Sequence, residues 1–147
     1  MLRYLGLAAA ISIFAAPAAW ADNSCGAEPI APAISSAAEM GQKPPVEAQK
    51  VKHQAFEDIK AWQAALKDYR DCLDSDSNST KRDIQNAQSQ SKPDQDKIKR
   101  LQGELDANAH AYDHSTDSEE RVVNDFHALS VAYCSRSDTD KTSCPKT

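Results

Sequence analysis

The stretch VKHQAFEDIKAWQAALKDYRDCL, residues Val51 to Leu73, decides the fold. Its apolar residues fall at Val51, Ala55, Ile59, Trp62, Leu66, Tyr69 and Leu73. The steps alternate between four and three, which places all seven on one stripe of an α-helix. Between them stand mostly Lys, Gln, Asp and Arg, so the opposite face is solvated. Phe56 widens the stripe beside Ile59. This helix is the post against which the rest of the chain is expected to pack.

Upstream, Pro44-Pro45 sets up the start of the helix, because proline is tolerated in a first turn. The helix is expected to run from about Val46 to Leu73. Further back, Pro29, Pro32, Pro44 and Pro45 exclude a long helix between Asp22 and Pro45 and favour an extended arm. Within that arm, Ser36-x-x-Glu39 has the spacing of a capping box for one helical turn around Ala37 to Met40. The arm is expected either to dock on a helix through Ile30, Ile34 and Met40 or to remain a disordered tail.

Residues 1–21 do not belong to the folded domain. Arg3 supplies a positive start, Leu5 to Ala16 is an apolar run, and Pro17 ends it. Ala19-Trp20-Ala21 then fits a small-x-small cleavage site, so this segment reads as a secretory signal peptide. The rival reading, a retained anchor, needs a longer apolar run. Asp22, Asn23 and Ser24 before Cys25 do not suit a lipid-attachment site. No later run is long or apolar enough to cross a bilayer. The expected product is a periplasmic or secreted protein with no membrane span after cleavage.

Downstream of Leu73, Asp74 to Asn78 reads as a polar turn, since Asp, Ser and Asn compete with helical hydrogen bonds. The run from Thr80 to Gln90, with a lone Ile84, is either a weak helical extension or a loop. Ser91, Pro93 and Asp94 mark a helix start. A second apolar pattern follows through Ile98, Leu101, Leu105, Ala109 and Tyr112, then Val122, Val123, Phe126, Leu129 and Tyr133. It is either one helix from Asp94 to about Cys134 or two helices broken near Ser115. The first option makes a long antiparallel helical hairpin, a coiled-coil-like pair; the second makes a three-helix bundle. The unbroken phase of the apolar residues favours the hairpin. The expected fold is therefore all-α. Its parts are a proline-rich arm at 22–45, a helical domain at 46–134 and a polar C-terminal tail at 135–147.

The arm with Cys25, Pro29 and Pro32, and a helix ending in Tyr69-x-x-Cys72-Leu73, is similar to small exported proteobacterial proteins of unknown function. The resemblance spans roughly the first half of the mature chain. It implies a compartment and an arm-plus-hairpin architecture, and no activity. That layout suggests the pairing Cys25–Cys72, with Cys134–Cys144 closing a small C-terminal loop. An arm of about 20 residues at ~3.1 Å each reaches roughly 60 Å, more than the roughly 40 Å of the first helix. The other two connectivities stay open, and a three-helix bundle would favour Cys72–Cys134.

Four cysteines in an exported chain suit two disulfides, and no C-x-x-C is present for redox or haem-attachment chemistry. The formal charge is −5, and −6 once Arg3 is removed. Basic residues form no dense cluster, which argues against nucleic acid as a partner. Aromatic residues make up 6% of the chain, so the core must be thin.

Candidate chemistry is sparse. His110 and His114 are four residues apart and share a helical face, a pair that binds Zn or Cu when a carboxylate joins it. Asp113 and Asp117 are near in sequence, while the Glu of a His-Glu-x-x-His motif is missing. His53 and His127 have no partners in phase. Met40 and a histidine would suit a haem only in a geometry nothing in the sequence specifies. No nucleophile elbow or phosphate loop is present. The expectation is a non-enzymatic exported protein without a cofactor. It would bind another envelope component or associate with itself. The alternatives are a metal-binding protein using His110 and His114, and a chaperone with an exposed apolar cradle.

Overall fold

The computed structural model describes residues 24–144. The signal-peptide reading of 1–21 lies outside the described residues. Among these, the chain forms three helices and no strand: α1 (Ala37–Gln42), α2 (Pro45–Gln88) and α3 (Gln95–Ser135). At 1.5 Å per residue the 44 residues of α2 span about 66 Å. The 41 residues of α3 return antiparallel alongside it. The fold is a long helical hairpin with the arm laid along one side.

The seam of α2 follows the expected stripe. Ala55, Ile59, Trp62, Leu66, Tyr69 and Leu73 are all buried, with Val51 at the margin. On α3, Val122, Leu129 and Tyr133 pack opposite this half. Phe56 departs from expectation. It is 45% exposed, and its ring meets Phe126 at 6.1 Å beside the seam.

The polar turn expected at Asp74 to Asn78 is absent, because α2 runs through it to Gln88. Tertiary contact explains the difference. The positions at seven-residue intervals from Lys52, namely Ile59, Leu66, Leu73, Thr80 and Ala87, are all buried. The seam thus stays in phase beyond Leu73, and Asp76 accepts a 2.8 Å hydrogen bond from Asn108 Nδ2 on α3. Packing against α3 offsets the weak helix preference of Asp and Ser. The hairpin therefore turns at 89–94, and Asp94 caps α3 by accepting from the Lys97 N–H at 3.0 Å.

α3 is one unbroken helix through Ser115. Its buried line is Leu101, Asn108, Ser115, Val122 and Leu129, a strict seven-residue repeat. The centre of that line is polar. Ser115 and Ser118 are buried, whereas the apolar candidates Ala109 and Tyr112 face outward.

The arm is docked. The Cys25–Cys72 bridge ties its start to the middle of α2. Gly26 follows at φ +76°, a left-handed turn that a side chain would strain, and redirects the chain along the hairpin. The Trp62 indole N–H donates to the Pro29 carbonyl at 3.0 Å, and Ile34 packs against both core clusters. Ser36 and Glu39 form the reciprocal capping box of α1. That turn drives Met40 to full burial among Ala48, Leu129 and Tyr133. Arg136 donates to the carbonyls of Met40 and Lys43, both at 2.7 Å, and so caps the end of α1. The Cys134–Cys144 bridge folds the C-terminal segment back onto the end of α3.

Candidate functional site

Extended arm, α2 and α3 do not close on one another completely. Small residues on α3, namely Ala107, Ala111 and Ser118, keep one face of that helix low. Opposite them the arm contributes Pro29, Ile30 and Ala31. The result is a groove of about 710 Å³ between arm and hairpin. Buried Tyr69 and Ser118 lie at its base; exposed Ile30, His110 and His114 lie at its lip. Ile30 is 94% exposed, an uncommon position for a large aliphatic side chain. The arm that forms one wall is covalently anchored at Cys25 and held at Pro29.

Both histidines singled out from the sequence line this groove. Asp113 and Asp117 do not supply the neighbouring carboxylate. Glu28, from the arm, places Oε2 2.6 Å from His114 Nδ1. Among the described residues, no group of three or more His, Cys, Asp or Glu is placed to hold a metal ion. Met40 is enclosed in the core at the far end of the arm, with no exposed surface.

The other side of the seam carries a polar ladder. Arg70 donates to Ser115 Oγ at 2.7 Å and to Glu119 Oε2 at 2.6 Å, and Gln63 donates to Glu119 Oε1 at 2.8 Å. The Arg70 hydrogen bond is the main cause that holds the Glu119 carboxyl below its ordinary range, against the opposing effect of burial. Tyr112 covers the Arg70 guanidinium at 5.7 Å. These contacts set the register of the two helices.

The histidine pair was visible in the sequence; the groove was not. Its one sequence signal is the spaced run of Ala and Ser on α3, and that run has meaning only once the arm is known to lie against it. No protein-family model, curated protein or solved structure matches the chain.

Proposed function

We propose that the protein acts outside the cytoplasm as a non-enzymatic binding module. Its groove between arm and α3 takes the apolar side chains of an extended segment of another envelope protein. The observation that carries this reading is the groove of about 710 Å³, with small and apolar walls and Ile30 at its lip. That volume falls in the range of about 300–1,000 Å³ typical of ligand sites. Bracing of the arm by a disulfide reduces the ordering cost of binding. Two disulfides and the absence, among the described residues, of a helix able to cross a membrane are compatible with an exported protein.

The test places a photo-crosslinking residue at Ile30 in the full chain and irradiates it in the native envelope. A specific adduct is expected, and Ala107→Trp, which fills the groove, should remove it while helicity is retained. An adduct of two copies of this chain would move the reading to self-association. An adduct that Ala107→Trp leaves at full yield would overturn the groove as the site.

A further inference from the structure

Lys52 occupies a core position. It belongs to the seven-residue repeat that otherwise carries Ile59, Leu66, Leu73, Thr80 and Ala87, and it is 8% exposed. Its ammonium donates to the Ser143 carbonyl at 2.7 Å and to Ser143 Oγ at 3.1 Å. It stands 4.8 Å from the centre of the Tyr133 ring and 3.8 Å from Cys134 Sγ. Among the described residues, none of the ion pairs includes Lys52. Burial pushes its pKa below the ordinary lysine value. A buried cation with only neutral neighbours is costly, unless an anion is generated beside it.

The one group in contact that can become an anion by bond cleavage is Cys134. We infer that the Cys134–Cys144 bridge is a site of thiol–disulfide exchange with a dithiol reductant, in which Cys134 leaves as a thiolate held by Lys52. An external thiolate attacks Cys144 Sγ, and the electron pair of the Cys134–Cys144 bond passes to Cys134 Sγ. The second thiol of the same reductant then displaces Cys144 from the mixed disulfide. Two electrons move from the dithiol to the protein, the dithiol is oxidised, and its protons pass to Cys144 and solvent.

Other charges around the site decide how strong the effect is. Cys134 lies in the last turn of α3, where the negative end of the helix dipole opposes a thiolate. Lys141 supplies a second cation, donating to the Cys134 carbonyl at 2.6 Å. Arg136 is occupied by Asp138, and Asp140 by Thr142. Tyr133 offers its ring face. Lys52, 3.8 Å away, is thus the cation in contact with the sulfur, and it has the helix end to outweigh. Cys25 packs on the Ile59–Leu73 cluster, and Cys134 and Cys144 pack on the Met40–Tyr133 cluster, so burial alone does not separate the two bridges; the Lys52 ammonium beside Cys134 does.

The test uses the full chain with Cys144→Ser, which leaves Cys134 as a thiol while Cys25–Cys72 stays closed. The pH dependence of Cys134 alkylation by iodoacetamide is measured with and without Lys52→Met. The midpoint is expected below about 8.5 with Lys52, and at least one pH unit higher with methionine in its place. In the unmodified chain, titration with dithiothreitol at pH 8 should open Cys134–Cys144 before Cys25–Cys72, and Lys52→Met should remove that order. Equal alkylation midpoints with and without Lys52 would overturn the inference and leave Lys52 a plain tether for Ser143.

Discussion

Removing the Cys25–Cys72 bridge tests how the arm is held. The bridge joins residues 47 apart in sequence. In the chain-entropy model a loop of that size contributes about 4 kcal/mol by restricting the unfolded chain. A typical domain has only about 5–15 kcal/mol in total. The double variant Cys25→Ala, Cys72→Ala should therefore lose a large share of its stability. The loss has a local component as well. The arm would retain the Trp62–Pro29 hydrogen bond, the Glu28–His114 contact, the packing of Ile34 and the α1 anchor at Met40, where Arg136 donates to the Met40 and Lys43 carbonyls. Trp62 is 6% exposed, so detachment of the arm would expose its indole to water. The assay is urea unfolding under non-reducing conditions, read by circular dichroism and by tryptophan fluorescence, with Trp20 replaced by Phe. At a slope of about 2 kcal/mol/M the helical transition should move down by about 2 M. The fluorescence transition should precede it. A loss under about 1 kcal/mol with an unchanged Trp62 spectrum would refute the reasoning, because the arm would then be fixed by its own packing.

Leu129→Ala should cost about 2–5 kcal/mol, because Leu129 is fully enclosed between α1 and α2. Val131→Ala, two residues away and 50% exposed, should change stability by no more than about 0.5 kcal/mol in the same thermal or urea unfolding measurement. Glu119 titrates below its unfolded value of about 4.3, mainly through Arg70. Its contribution is therefore complete above that pH and is lost as pH falls through the depressed folded value; Glu119→Gln should flatten this acid limb in thermal unfolding below about pH 4.3.

Helix α2 shows where local and tertiary information diverge. Residues 74–78 carry Asp, Ser and Asn, all of which read as a turn over a short window. Read over a longer window, Leu73, Thr80 and Ala87 keep the seven-residue step, and α3 supplies Asn108 for Asp76. The outward position of Ala109 and Tyr112 has the same origin. The seam of α3 passes through Asn108, Ser115 and Ser118, polar residues that no hydropathy pattern selects as core. Their burial depends on partners from elsewhere in the chain: Asp76 for Asn108 and Arg70 for Ser115. The candidate site follows this pattern. His110 and His114 were evident as a pair, whereas Glu28, 86 residues from His114, reaches His114 only because the arm returns along the hairpin.

Periodicity alone determined that the chain is helical, where the apolar seam lies between Ala55 and Leu73, and that Ser36 and Glu39 start a short turn. Those features depend on neighbours within one or two turns, and side-chain spacing encodes them directly. Ser91, Pro93 and Asp94 also marked the start of α3, but the continuation of α2 through 74–88, the polar rungs, the groove and the burial of Lys52 beside a disulfide were decided by tertiary structure. Each places residues from distant parts of the chain in contact, and their free energy exists only after the arm, α2 and α3 have come together.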